Sequence, residues 1–195
     1  MSHSNAHSAK RRGATGERPE PATDENETTP YPPILAKREN KVIYQMKFER
    51  TFELPLAIAA VWSALWDVPR MVACVPGCAG ATVVEDKRRY QATIAEKVGP
   101  FKVEIPLEIE IISVDAGRRL QLRATGKDGR IGTEVSFVLT VELQAVGEQT
   151  QFHMSVDATV VGRLVSLGLA VIKLKGDQQM GFFAQALQAN LVGIG

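Results

Sequence analysis

Two cysteines, Cys74 and Cys78, stand close together in the segment CVPGC, where they could act as metal ligands or as a redox pair. A structural zinc site needs four ligands, usually as two close pairs. The sequence has neither a second cysteine pair nor a histidine near this segment. A redox pair is typically C-x-x-C at a helix start, whereas these cysteines flank a Pro-Gly turn. The pattern favours two small apolar residues around a turn and predicts no metal site.

Two ionisable residues, Arg50 and Glu96, fall in register with the apolar positions of predicted strands. At such positions they could contact the polar head group of a ligand. The commoner alternative is that they lie at a strand end or bulge and reach water. No Ser-His-Asp, Cys-His or paired-carboxylate arrangement can be assembled around them. We therefore predict no catalytic residues and no covalently bound cofactor.

The elements that would position these residues begin with strands. Apolar and polar residues alternate with a period of two in several segments, which is typical of strands with one dry face and one wet face. Short turns separate the segments, so they predict an antiparallel meander. The segments are residues 42–54, 90–98, 103–114, 120–124, 135–143 and 152–160.

Helical periodicity follows the first strand and returns at the end of the chain. A first helix carries an apolar stripe between Ile58 and Leu65 and is expected to end at Pro69. Apolar residues at spacings of three and four predict one long helix from about Arg163 to Leu191. The order predicts an α+β fold, in which a curved antiparallel sheet wraps around the long C-terminal helix and short helices follow the first strand.

Composition divides the chain of 195 residues into two parts. Residues 1–40 contain hardly any apolar side chains before Ile34, so we expect a disordered arm. The folded domain is expected at residues 41–195. The net charge of +1 gives no field that favours nucleic acid. The basic start has no apolar stretch behind it, and no apolar run reaches the roughly 18 residues of a membrane span, so we expect a cytoplasmic protein.

The inward side chains of the predicted sheet and helix are almost all apolar, which favours a hydrophobic small molecule as ligand. We predict that they form the pocket, with Arg50 and Glu96 as its polar contacts. The predicted pocket residues are Trp62, Tyr90, Ile94, Ile105, Leu107, Ile109, Leu122, Phe137, Leu139, Met154, Val156, Leu169, Ile172, Met180 and Phe183.

The start of the C-terminal helix is apolar nearly all round, which is more than one sheet contact requires. The additional apolar residues are Leu164, Leu167, Val171 and Leu174. They are predicted to contact a membrane or a partner protein; contact with loops or with a second copy of the chain is the alternative.

Three segments carry a resemblance to a known family: VWSALWDVPRMVACVPGC, KVGPFKVEI and GRLVSLGLAVIKLKGDQQMGFF. Their order resembles the SRPBCC superfamily of helix-grip, START/Bet v1-like proteins, and within it the CoxG family of carbon monoxide dehydrogenase. The resemblance covers roughly residues 42–191. The positions that match the family pattern are Trp62, Asp67, Pro69, Pro76, Gly77, Cys78, Val98, Gly99, Pro100, Gly162, Phe182 and Phe183.

The resemblance implies an accessory protein of molybdenum hydroxylases such as carbon monoxide dehydrogenase. Such a protein holds an isoprenoid quinone and links the enzyme to the respiratory membrane, at whose inner face it would be peripheral. Members that attach to membranes often carry a C-terminal extension, whereas this sequence ends just beyond the predicted helix.

Two alternatives stay open at this point. One is a START-like enzyme of the cyclase or hydrolase type that acts on an aromatic or polyketide substrate, which would need ionisable residues inside the pocket. The other is an assembly protein whose pocket is filled by its own side chains.

Overall fold

The computed structural model describes residues 42–192, so the predicted arm at residues 1–40 lies outside the described residues. Seven strands and three α-helices occur in this part of the chain, together with a 3₁₀ helix at Arg163–Leu167. The strands are β1 (Ile43–Leu54), β2 (Cys78–Glu85), β3 (Arg89–Val98), β4 (Phe101–Asp115), β5 (Arg119–Asp128), β6 (Thr133–Val146) and β7 (Gln149–Gly162). The α-helices are α1 (Ile58–Leu65), α2 (Val68–Ala73) and α3 (Leu169–Val192).

All seven strands form one antiparallel sheet in the order β1-β7-β6-β5-β4-β3-β2. Apart from β1, which pairs with β7 at one edge, every strand neighbours the next one along the chain. Short turns favour this arrangement because an antiparallel pair needs only a tight connection. The predicted helix-grip α+β fold is confirmed, with α3 packed across the sheet.

Strand β2 is the one strand that the alternation of residues did not predict. Its pairing with β3 is irregular, since the register shifts between Cys78 and Ala81 and again between Val83 and Glu85. Such bulges break the period of two on which a strand prediction rests. Val83 and Val84 are both exposed, so the strand also lacks a regular dry face.

The helices differ from their predictions at two residues. Pro69 does not end α1; it lies in the first turn of α2, where its missing N–H costs nothing. The predicted helix from Arg163 is interrupted at Gly168, whose φ of 85° favours glycine and separates the 3₁₀ helix from α3. The chain therefore changes direction before α3 begins.

The core consists of two apolar clusters on the inward face of the sheet. The larger one joins α1 and the second half of α3 to β1, β6 and β7, with Phe152, Leu54 and Leu187 fully buried. The smaller one joins the 3₁₀ helix and Ile172 to β4 and β7. Between them α3 approaches β1 so closely that a Cβ at Gly176 would collide with the ring of Phe48.

A buried carboxylate fixes the loop between β5 and β6. Asp128 accepts hydrogen bonds from the backbone N–H groups of Glu104 at 2.9 Å, Arg130 at 2.9 Å and Ile131 at 3.4 Å. These donors stabilise the ionised form, so the pKa of Asp128 falls from 3.8 to about 2. The side chain thereby attaches this loop to β4.

Candidate ligand-binding site

An apolar cavity of about 140 Å³ lies between the inward face of the sheet and the two short helices. The sheet supplies one wall, α1 and α2 supply the other, and one residue of α3 closes the remaining side. The lining residues are Leu65, Trp66, Val68, Met71, Val72, Val75, Cys78, Tyr90, Ala92, Ile94, Leu107, Ile109, Ile111, Leu120, Leu122, Phe137, Leu139, Val141, Phe152 and Phe183.

Part of the predicted pocket set lines this cavity. Those that do are Tyr90, Ile94, Leu107, Ile109, Leu122, Phe137, Leu139 and Phe183. The others lie elsewhere because α3 packs directly on the sheet along most of its length and leaves no space there. Met154 and Met180 are buried in the larger cluster, against which Trp62 and Val156 pack, and Ile105 and Ile172 are buried in the smaller one. Leu169 is half-buried at the start of α3.

Helix α2 and its C-terminal end contribute a lining that the sequence analysis missed. Val68, Met71, Val72 and Val75 occupy positions i, i+3, i+4 and i+7, which is one face of a helix, and all of them line the cavity. The signal is therefore present in the sequence. Interpreting Pro69 as the end of a helix conceals it, although proline is favoured in a first turn.

Trp66 and Lys87 form an aromatic and basic rim beside the cavity. The indole of Trp66 packs edge-on against Trp62, with ring centroids 5.9 Å apart. The Lys87 ammonium lies 5.7 Å from the Trp66 ring, within the range of a cation–π contact. The backbone N–H of Lys87 also donates to the Tyr90 hydroxyl at 2.9 Å. Burial raises the pKa of Tyr90, so this hydroxyl is neutral.

The two cysteines have separate environments. Cys74 is buried, and its thiol donates to the Arg70 carbonyl at 3.5 Å and accepts from the Asn190 side chain at 3.4 Å. Cys78 lines the cavity. Both are free, and burial raises the pKa of both thiols. Within residues 42–192 no group of three or more His, Cys, Asp and Glu side chains is placed to hold a metal ion.

Arg50 and Glu96, the predicted polar contacts, lie outside the cavity lining and face α3 instead. Arg50 is exposed and donates to the Asp177 carbonyl at 3.3 Å. Glu96 accepts from the Lys175 ammonium at 2.8 Å and from the Gln179 amide at 3.1 Å. The hydrogen bond from Lys175 lowers the pKa of Glu96, although burial opposes the shift. Their inward register is used to attach α3 to β1 and β3.

The predicted contact surface at residues 164–174 is only partly exposed. Leu164 is 6% exposed and belongs to the smaller cluster, because the break at Gly168 lets the 3₁₀ helix fold back onto the sheet. Leu167 is half-buried against Gly99. Val171 and Leu174, at 44% and 60% exposure, are the members that face solvent.

A larger depression of about 1050 Å³ lies on the outer face of the sheet. Thr82, Thr125, Ser136 and Thr159 are among its lining residues, with the charged side chains of Glu108 and Lys127. A hydrophobic molecule would leave these polar groups unpaired, so we place the candidate site in the apolar cavity. No helix of residues 42–192 combines the length and the apolar character that crossing a bilayer requires.

Comparisons with solved structures show the fold. A conserved protein from Geobacillus kaustophilus is 19% identical, with a TM-score of 0.68 over 76% of this chain and 96% of its own. A START superfamily protein from Mycobacterium smegmatis is 14% identical, with a TM-score of 0.57 over 76% of this chain and 99% of its own. Ara h 8.0201 is 17% identical, with a TM-score of 0.52 over the same shares. A search of curated proteins found no match.

The family resemblance is confirmed by a match over residues 51–188 to the sequence family CoxG, described as the G subunit of carbon monoxide dehydrogenase. The matched region includes α1, α2, the walls of the cavity and nearly all of α3. The protein, with its START-like helix-grip fold, therefore belongs to the CoxG family of carbon monoxide dehydrogenase.

Proposed function

We propose that this protein binds the ring of a hydrophobic molecule, an isoprenoid quinone, as a non-catalytic accessory protein of a carbon monoxide dehydrogenase-type molybdenum hydroxylase. Membership of the CoxG family and the START-like fold support a ligand-binding accessory role. In this role it would link the enzyme to the quinone pool at the inner face of the membrane, or assist assembly of the enzyme.

The observation that carries the proposal is the apolar cavity. Its volume of about 140 Å³ is close to the roughly 150 Å³ of an engineered apolar cavity that takes up benzene. A single aromatic or quinoid ring therefore matches the space, and the pocket is not filled by its own side chains. Sites for larger molecules usually have about 300–1,000 Å³, so an isoprenoid tail would have to extend beyond the cavity.

The wall offers little to a catalytic mechanism. Its polar groups are the Tyr90 hydroxyl and the Cys78 thiol, and burial raises the pKa of both. Neither group is thus a ready base or nucleophile near neutral pH. The ionisable residues that a START-like enzyme would need inside the pocket, Arg50 and Glu96, contact α3 instead.

The test is a calorimetric titration with 2,3-dimethyl-1,4-naphthoquinone, a ring without an isoprenoid tail. Ala92 is buried and lines the cavity, so Ala92→Leu should fill part of it and weaken binding at least about tenfold. Ala95→Leu makes the same change on the exposed face of the same strand and should leave binding unchanged. Failure of the wild type to bind, or equal binding by both variants, would contradict the proposal.

A further inference from the structure

Three side chains form a polar cluster between β3 and α3, here called the latch: Glu96, Lys175 and Gln179. The Lys175 ammonium donates to Glu96 Oε1 at 2.8 Å, and the Gln179 amide nitrogen donates to Glu96 Oε2 at 3.1 Å. The side chains of Glu96 and Lys175 keep 23% and 27% of their exposure. A pair withdrawn this far from water is screened less than a surface ion pair.

The latch lies beside one end of the cavity. Ile94 and Phe183 both line the cavity. Glu96 follows Ile94 by two residues and therefore shares its inward face on β3. Gln179 precedes Phe183 by four residues and therefore lies one turn away on the same side of α3. The latch is thus the next layer of side chains beyond this end of the cavity wall.

The Pro-Gly turn of CVPGC backs onto the same cluster. The carbonyl of Gly77 accepts a hydrogen bond from the Ala95 N–H at 2.7 Å. A Cβ at Gly77 would lie 2.9 Å from Glu96 Oε2, so the turn has no room for a larger residue. Cys78, the next residue, lines the cavity. Glu96 consequently stands where this turn, β3 and α3 meet.

The closed latch leaves one buried acceptor unpaired. The side-chain oxygen of Gln179 is buried and has no hydrogen-bond partner among the described residues. The amide cannot simply turn round, because its nitrogen donates to a carboxylate, which accepts hydrogen bonds and does not donate them when ionised. An unpaired buried acceptor disfavours the arrangement that contains it, and opening would let water reach this oxygen.

The part of α3 that carries Lys175 has few anchors. It runs from Leu169 to Lys175, between Gly168 and Gly176. Ile172 is its one fully buried side chain, whereas Val171 and Leu174 are exposed. The ion pair with Glu96 is therefore a main attachment of this segment to the sheet.

We propose that the latch gates the cavity: release of Lys175 from Glu96 lets residues 169–175 move away from β3 and opens the end of the cavity between Ile94 and Phe183. This inference rests on the proposed function, since a cavity of about 140 Å³ must open for an isoprenoid quinone to extend beyond it. Closed and open arrangements are close in free energy, because the ion pair favours the first and the unpaired Gln179 oxygen favours the second.

Two variants should change ligand exchange in opposite directions. Lys175→Met removes the ion pair and should speed both binding and release of 2,3-dimethyl-1,4-naphthoquinone about fivefold. Gln179→Met removes the unpaired acceptor and should slow both about fivefold. Lys173→Met removes a charge from an exposed position of the same helix and should leave both rates unchanged. Stopped-flow quenching of tryptophan fluorescence reports these rates because Trp66 lines the cavity.

Hydrogen exchange of residues 169–175 without ligand provides a second measurement. It should be faster in Lys175→Met and slower in Gln179→Met than in the wild type. Opposite shifts in both measurements support the gate, since loss of merely structural contacts would loosen both variants. Binding with equal rates in all variants would overturn the gate and leave the proposed function intact. If the wild type does not bind the quinone, the proposed function fails and the gate fails with it.

Discussion

Asp128 illustrates how a single buried group makes the stability of the protein depend on pH. Its pKa is about 2 in the folded protein and 3.8 in a model peptide, so the folded state favours the ionised form. The resulting stabilisation is fully present above about pH 4 and is lost as the pH falls from about 4 towards 2. Asp128→Asn cannot ionise and should lower the free energy of unfolding at neutral pH, by an amount that shrinks in this acid range.

Urea unfolding at pH 7 and at pH 3 provides the comparison. Asp115→Asn changes an exposed carboxyl at the end of β4 and should behave like the wild type at both values. A difference between the wild type and Asp128→Asn that stays constant from pH 7 to pH 3 would show that the hydrogen bonds of Asp128 do not depend on its charge.

The sequence could predict the registers of Arg50 and Glu96 but not their partners. Alternation along a strand tells which face a residue occupies, and both residues do face α3. Whether an inward charge meets a ligand or a helix depends on how closely that helix packs. This distance is determined in part by Gly176 and the Phe48 ring, which are far apart in the sequence.

At the scale of elements, two glycines of α3 should respond oppositely to the same substitution. A Cβ at Gly176 would collide with the ring of Phe48, which is 6% exposed and has no room to move. Gly176→Ala should therefore destabilise the protein by about 1–2 kcal/mol, since overpacking outweighs the gain in helix propensity. At Gly181 a Cβ would meet only Arg50 Nη2 at 3.7 Å, an ordinary contact.

Gly181→Ala should accordingly stabilise the protein by up to about 1 kcal/mol. Thermal unfolding of both variants measures the pair, and each serves as the control for the other. Two variants shifted in the same direction would mean that α3 does not approach β1 as closely as the Gly176–Phe48 contact requires.

Elements with a regular period could be predicted from the sequence, and elements with an irregular one could not. Strands β4, β6 and β7 alternate over most of their length, and their existence was correctly predicted. The bulges of β2 and the glycine break before α3 interrupt the periods on which such predictions depend. The cavity was displaced for the same reason, because α2, which covers it, was not recognised as a wall.

For the whole molecule, the proposed partner can be tested by co-purification. The tagged protein, isolated from cells that produce it naturally, should carry molybdenum and a carbon monoxide-oxidising activity beyond those of an untagged control. Such association is expected because an accessory protein must contact the enzyme that it serves. A molybdenum content equal to that of the control would contradict the enzyme partner, while quinone binding would still have to be judged separately.

The central claim is that the apolar cavity holds a hydrophobic ring, and native mass spectrometry of the gently purified protein tests it most directly. We expect a second peak, heavier than the bare chain by the mass of one lipophilic molecule, whose extract has the absorption of a quinone. This peak should be missing from Ala92→Leu and present in Ala95→Leu. A wild-type protein that appears only as the bare chain, even after incubation with 2,3-dimethyl-1,4-naphthoquinone, would contradict a ring-binding role for the cavity.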